Sequence, residues 1–278
     1  MSLDISEILE NWPYEPGQVT ARRIRGDDGL DKIQLRLELG LYQMEITGRP
    51  DGEEPHGFES LLSYHEHLLE KHQQDNGEAE GFELDEQACE MLRAEGVMYY
   101  HRYLAEFILE DFDAVDRDTT RNVRLMDFCS KYAKEESDRF QLEQYRPYVI
   151  MMNTRARSLI AFRQNRPKAA LAAVRKGMED IKAFHRRFGQ DKAITESGEL
   201  AILRAMAKEI EGRLPVDPIR KLRRDLSKAV QDERYEEAAI IRDKLRRIHG
   251  QGQPPPAEMQ EESPADAADT RDEGPIDI

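Results

Sequence analysis

Along most of the chain, apolar residues recur at steps of three and four, which is the spacing of an amphipathic helix. Polar loops, glycines and prolines interrupt this pattern. It predicts helices over 2–11, 58–73, 84–110, 112–133, 141–164, 167–188 and 194–214. Consecutive segments group into three antiparallel helix pairs, at 32–73, 84–133 and 141–188. We therefore predict an all-α fold, built as an irregular array of antiparallel helix pairs.

The segment 32–47 fits two structures. Ile33, Leu35 and Leu37 belong to an alternating series that is typical of a half-buried strand. The same residues also fall on two helical faces, and sixteen residues is long for one strand. Length favours a helix that ends at Gly48. The alternative is a strand that pairs with residues 19–25.

Small residues in the third helix pair lie where two helices could approach closely. Ser158, Ala170 and Gly177 hold these positions, and Gly40 and Gly96 could do the same in the earlier pairs. The pair is similar to a tetratricopeptide unit, although the spacing between pairs is irregular and exceeds the usual 34-residue period. The resemblance implies a tetratricopeptide-like array.

A second pattern, at 217–250, predicts a helical hairpin. Asp217 is suited to the N-cap and Pro218 to the first helical position. Residues 232–234 separate two apolar stripes. The first stripe contains Ile219, Leu222, Leu226, Ala229 and Val230, and the second contains Tyr235, Ala238, Ala239, Arg242, Leu245 and Ile248.

The order of residues in this hairpin resembles the UVR motif, a helical hairpin of excinuclease subunits B and C and of regulators of bacterial Clp proteases. The matching residues are Leu222, Leu226, Ala229, Val230, Tyr235, Glu236, Ala238, Ala239, Arg242, Asp243 and Leu245. The resemblance covers about an eighth of the chain. It implies protein–protein contact through the hairpin and implies no catalysis.

A hairpin of this length buries too little surface to be stable alone, because chains below roughly 40 residues usually need a partner. Its apolar stripes are expected to contact the rest of the chain, a second copy or another protein. The predicted partner-binding residues are Leu222, Leu226, Val230, Tyr235, Ala238, Ala239, Arg242, Asp243 and Leu245. Charged residues beside the apolar seam, including Arg224, would set partner choice and register.

The net charge of −15 argues against general nucleic acid binding, which depends on phosphate neutralisation. Residues 215–250 differ, with ten Lys and Arg against seven Asp and Glu. Residues 251–278 contain five prolines and eight acidic residues against one arginine, a composition typical of a disordered tail. We predict four regions: 1–31 with a helix and an extended segment, the helical domain 32–214, the hairpin 215–250 and the tail 251–278.

The chain offers little catalytic or metal-binding chemistry. Cys89 and Cys129 belong to no CxxC pair, which departs from the zinc-containing protease-regulator branch of the UVR family and favours free thiols. His65, His67 and His72 lack the spacing that lets side chains converge on one ion. No nucleophile or phosphate-loop motif is recognisable. We predict no catalytic residue, no metal site and no cofactor.

These observations favour a non-enzymatic adaptor or scaffold. It would bind another protein, or a second copy of itself, through the hairpin and a helical-repeat surface. The N-terminal residues lack a signal-peptide pattern and no segment is apolar enough to span a membrane, so we expect a cytoplasmic protein without membrane partners. The alternatives are an accessory factor of nucleotide excision repair with weak DNA contact, a regulatory subunit of a Clp-type protease system, or an enzyme whose site is assembled from scattered residues.

Overall fold

The computed structural model describes residues 4–214 and 218–250, and these separate into two compact units, one within 1–214 and one within 215–278. The predicted acidic tail and the N-cap Asp217 lie outside the described residues. The first unit contains the elements α1 Ser6–Leu9, β1 Ala21–Arg25, β2 Asp31–Arg36, β3 Leu41–Glu45, α2 Leu61–Asn76, α3 Glu86–Ile108, α4 Phe112–Tyr132, α5 Glu136–Gln141, α6 Arg146–Arg163, α7 Pro167–Arg187, α8 Asp191–Glu196 and α9 Gly198–Arg213. The second contains α10 Pro218–Gln231 and α11 Tyr235–Gly250.

The predicted helical fold class is confirmed, and α2–α4, α6, α7 and α9–α11 lie close to predicted positions, whereas α5 was not predicted and α8 overlaps only the start of the helix predicted over 194–214. Each of the pairs α3–α4 and α6–α7 is joined by a turn of three residues, 109–111 and 164–166. The predicted helix over 2–11 is shorter than expected, because α1 covers Ser6–Leu9.

The helix predicted over 32–47 is wrong, and so is the helix pair 32–73. The segment forms β2 and β3, which pair antiparallel around a tight turn in which Leu37 and Gly40 exchange backbone hydrogen bonds. β1 pairs with β2 from Ala21 opposite Leu35 to Arg25 opposite Asp31, which confirms the alternative of a strand paired with 19–25. Sixteen residues were too long for one strand, but they accommodate two strands and a turn.

Burial explains why the alternating pattern decided the structure of this segment. Ile33, Leu35 and Met44 are buried together with Ala105 of α3, so one face of the sheet packs on a helix. The other apolar residues of the series lie at the turn, where Leu39 is exposed. Gly40 belongs to this turn and does not pack one helix on another as predicted.

Close helix–helix packing does occur at the two other predicted glycines. A Cβ atom placed on Gly177 of α7 would lie 1.9 Å from Oγ1 of Thr154 in α6. One placed on Gly96 of α3 would lie 2.9 Å from Cδ2 of Leu125 in α4. The contact at Gly177 is far below van der Waals distance, so that helix spacing requires glycine, whereas at Gly96 a Cβ atom would require the end of the Leu125 side chain to move.

Besides the cluster under the sheet, the core of the first unit contains two larger apolar clusters and several buried ion pairs, among them that of Arg102 with Asp118. The larger cluster joins α3, α4, α6, α7 and α9, and the second joins α2, α3, α4 and the start of α6. The guanidinium of Arg102 contacts both carboxylate oxygens of Asp118, with Nε to Oδ2 at 2.6 Å. It also donates to the carbonyls of Glu45 and Gly48, and so connects the sheet to the helices.

Candidate partner-binding hairpin

The second unit is a hairpin of α10 and α11. Its first helix begins at Pro218, as predicted. Proline is suited to this position because the first helical amide has no partner within the helix, and its ring fixes a helical φ. Lys228 lies in the last turn of α10, and Glu236 and Glu237 lie in the first turn of α11. These charges complement the dipole at each helix end.

The turn 232–234 reverses the chain through a left-handed residue. Glu233 has φ of +56°, and its amide donates to the carbonyl of Val230 at 3.1 Å. The amide of Arg234 donates to the carbonyl of Ala229 at 2.8 Å. These two bonds form the Schellman motif, which satisfies the last carbonyls of a helix. The guanidinium of Arg234 also binds the carboxylate of Asp232 at 2.8 Å, which holds the turn in place.

The hairpin has a small interior of its own. Ala229, Ala238 and Ile241 are buried, and three leucines pack against them, namely Leu222, Leu226 and Leu245. Two of the three buried residues are alanines, which allow the two helices to approach closely. The structure therefore brings together four predicted partner-binding residues, Leu222, Leu226, Ala238 and Leu245, but it places them between the helices of the hairpin.

The remaining predicted residues lie on the outside. Val230 is 50% exposed and Tyr235 is 66% exposed, whereas Ala239 is half-buried. The side chains of Arg242 and Asp243 are both 56% exposed and lie 3.6 Å apart, from Nε to Oδ1. The predicted seam is thus divided into an inner set and an outer set.

Sequence reasoning missed two isoleucines of this hairpin. Ile241 is buried in the interior, and Ile240 is 58% exposed on the outside. Ile241 follows Ala238 by three residues and precedes Leu245 by four, so helical spacing places it on the inner face. No comparable signal marks Ile240, because an exposed apolar residue does not fit a single amphipathic stripe.

Other polar groups in the first unit behave as packed side chains. Cys89 and Cys129 are free and buried, and burial raises the pKa of the Cys89 thiol to about 11 and that of the Cys129 thiol to about 12. His65 is half-buried, and burial lowers its pKa. Among the described residues, no group of three or more His, Cys, Asp or Glu side chains is placed to hold a metal ion.

Comparison with known families agrees with the geometry of the hairpin. Residues 217–251 match the family described as the UvrB/uvrC motif. The match covers both helices and the turn, and it indicates a role in protein interaction or in excision repair. No curated protein and no solved structure matches the chain. In the part of the chain that the structure describes, every helix is too short or too polar to cross a membrane.

Proposed function

We propose that this protein is a non-enzymatic adaptor that binds another protein, or a second copy of itself, through the outer face of the UVR hairpin. One observation carries the proposal: the hairpin completes its own interior and still exposes large apolar side chains. We name as the outer face the residues Val230, Tyr235 and Ile240. The predicted pair Arg242 and Asp243 is also exposed and would set partner choice and register.

The apolar residues of this face supply part of the free energy that binding needs. Fully burying one large apolar side chain contributes about 1.5–3 kcal/mol, and these side chains are already about half buried. Three such residues would therefore contribute roughly 2–5 kcal/mol before the cost of association is subtracted, whereas a micromolar complex needs about 8 kcal/mol. The proposal therefore requires a contact that covers most of the outer face and adds charged or polar contacts at its edge.

The test is a matched pair of substitutions, Ile240→Asp in the hairpin and Ile202→Asp in α9. The two isoleucines are similarly exposed, at 58% and 45%, and each lies in a helix. Sedimentation velocity of the full chain over a range of concentrations detects a second copy. Affinity purification with the full chain as bait, read by mass spectrometry, detects another protein. We expect Ile240→Asp to reduce the complex at least tenfold and Ile202→Asp to leave it unchanged.

A control distinguishes loss of binding from loss of folding. Ala238 is buried between the helices, so Ala238→Asp should open the hairpin and lower helix content by circular dichroism. Ile240→Asp should leave helix content within error of the parent. If Ile240→Asp and Ile202→Asp leave every complex intact, the outer face does not bind and the adaptor proposal is wrong.

A further inference from the structure

The first unit contains a cavity of about 710 Å³. Ligand sites in proteins typically measure roughly 300–1,000 Å³ and combine an apolar wall with a few polar groups. Side chains of α3, α4, α6 and α9, together with residues 141–145, line this cavity. Its apolar wall includes Val97, Leu125 and Val149. The cavity therefore has the size and lining of a binding site, and it belongs to a different unit from the UVR hairpin.

Tyrosine rings form one side of the cavity. Tyr100, Tyr103, Tyr145 and Tyr148 all line it. The centroids of Tyr100 and Tyr103 are 5.5 Å apart with planes at 89°, and those of Tyr100 and Tyr148 are 6.1 Å apart at 58°. The first pair is an edge-to-face contact and the second is tilted, so Tyr100 packs against both of its neighbours in the wall of the cavity. The face of an aromatic ring carries negative charge density, so a ring face that this wall leaves open attracts an organic cation.

The charged groups of the cavity also favour a cationic ligand. Arg93 is neutralised by Asp138, with Nη1 and Oδ1 2.8 Å apart. Glu199 accepts a hydrogen bond from the hydroxyl of Ser197 at 2.8 Å, and no ion pair involves it among the described residues. The cavity therefore has one carboxylate without a cation. The net charge of −15 adds a long-range attraction for positively charged partners.

A second cavity, of about 680 Å³ between α4, α6 and α7, shows the contrast. Arg146, Arg157, Lys176 and Arg187 line it, and the first three are each paired with a carboxylate of the same chain. Arg187 forms no ion pair among the described residues, but an anionic ligand would still have to displace the other three pairs. A cation that binds in the tyrosine-lined cavity would break no existing ion pair, because Glu199 forms none among the described residues.

We propose that the tyrosine-lined cavity binds the cationic end of a lysine or arginine side chain from a partner protein, with Glu199 as its counter-charge. The tyrosine faces and the carboxylate hold the cation, and the apolar wall contacts the stem of the side chain. A side chain within a peptide suits the site better than a small free cation for two reasons. The volume is far larger than one ammonium group, and Val97 and Tyr145 are exposed beside it for contact with neighbouring residues.

The test uses the full chain and three probes, with binding followed by NMR shift titration and by calorimetry. The first probe is the peptide acetyl-Ala-Lys-Ala-amide. The second replaces lysine by norleucine, which keeps the stem and removes the charge. The third is choline, a free small cation. We expect the lysine peptide to bind at least tenfold more tightly than the norleucine peptide and several-fold more tightly than choline.

Two variants connect the binding to this cavity. Glu199→Gln keeps the shape of the side chain and removes its charge. It should weaken binding of the lysine peptide by about threefold to tenfold, because a partly solvated charge contributes at most about the 1.4 kcal/mol that corresponds to a factor of ten. Tyr145→Ala removes an exposed ring and should weaken it similarly. The matched control is Glu196→Gln, an exposed carboxylate near Glu199 that does not line the cavity, and it should have no effect.

Four results would overturn the proposal. Equal affinity for the lysine and norleucine peptides would make the site an apolar cavity without charge preference. Equal weakening by Glu199→Gln and Glu196→Gln, or no binding of the lysine peptide, would remove the cation site from this cavity. Choline binding as tightly as the lysine peptide would contradict the assignment to a protein side chain. None of these results bears on the outer face of the hairpin, because that face is tested by Ile240→Asp.

Discussion

The helix pair α6–α7 and the UVR hairpin α10–α11 reverse the chain in the same way. Each uses a three-residue turn with a left-handed residue, Asn165 in one and Glu233 in the other, and φ is +56° in both. In each turn the following amide donates to the carbonyl five residues earlier, at 2.9 Å and 2.8 Å. The local chemistry that makes a helical hairpin is thus shared by the two units.

The two hairpins differ in what they bury. The pair α6–α7 buries large side chains against α4 and α9, including Met151, Met152, Leu171, Val174 and Ile181. The UVR hairpin buries Ala229, Ala238 and Ile241. Turn geometry therefore sets the path of the chain, whereas buried apolar area sets stability. The hairpin with the small interior is the one whose exposed apolar residues gain most from a partner.

The largest expected contrast concerns ion pairs. Arg102 and Asp118 in the first unit are each 1% exposed, so Asp118→Ala leaves a buried guanidinium without its partner and should destabilise the unit by about 3–5 kcal/mol. Asp232→Ala removes a pair with Arg234 that is about half exposed, and it should cost less than about 1 kcal/mol. Urea denaturation followed by circular dichroism measures the change in the first unit, and amide hydrogen exchange in α10 and α11 measures the change in the hairpin. Similar losses in the two variants would contradict the contrast.

The next contrast removes the same atoms from each interior. Ile181 is fully buried in the first unit, and Ile181→Ala should lower its free energy of unfolding by about 2–5 kcal/mol. Ile241→Ala should leave this main transition unchanged, because Ile241 lies in the other unit. Its effect should be limited to faster amide hydrogen exchange in α10 and α11. A shift of the main urea transition with Ile241→Ala would show that the two units unfold together.

Local structure could be predicted from the sequence, whereas the packing between elements could not. Helices with long apolar periodicity, such as α4 and α7, were placed to within a residue or two. The sheet was missed because 32–47 was treated as one element. The length of that element favoured a helix, although the alternation of Ile33 and Leu35 with polar residues favoured a strand. Periodicity identifies an apolar face but not what covers it. Leu222 and Ala238 were therefore expected to contact a partner, whereas each contacts the opposite helix of the hairpin.

The cavity in the first unit could not be found from the sequence. Tyr100, Tyr103 and Tyr148 lie on two helices, and Glu199 comes from a third that is about fifty residues further along the chain. Their proximity depends on how α3, α6 and α9 pack. Single-sequence periodicity carries no information on that packing, because it describes each helix separately.

A third contrast concerns pH. Burial and the nearby Asp118 carboxylate raise the pKa of Glu106 from 4.5 to about 8. Between these pH values Glu106 keeps its proton in the folded state and has lost it in the unfolded state. The contribution of this group to stability is therefore fully present below pH 4.5 and is lost as the pH rises towards 8. Each unit of pKa difference corresponds to about 1.4 kcal/mol, so we expect about 3 kcal/mol to be lost between pH 5 and 7.5.

Glu106→Gln should remove most of that pH dependence, since glutamine does not ionise. The matched control is Glu236→Gln, which changes an exposed carboxylate in the first turn of α11 and should leave the dependence as it is. Urea titrations at half-unit steps of pH measure the difference. An unchanged slope in Glu106→Gln would mean that the carboxylate is ionised in the folded state, held by Arg117 at 2.8 Å.

The smallest contrast returns to the turns. A side chain in the left-handed region costs roughly 1 kcal/mol that glycine avoids, so Glu233→Gly should stabilise the UVR hairpin by about 0.5–1 kcal/mol. Glu110, at the turn between α3 and α4, has φ of +58° but also contacts Arg163, with Oε2 and Nη2 2.5 Å apart. Glu110→Gly should therefore stabilise the first unit by less.

Hydrogen exchange measures the change in stability of the hairpin, and urea denaturation measures that of the first unit. Glu236→Gly, in the first turn of α11, should have the opposite effect, because glycine within a helix costs up to about 1 kcal/mol of helix stability. If both hairpin variants destabilise, the strain at Glu233 is not what limits the stability of the hairpin.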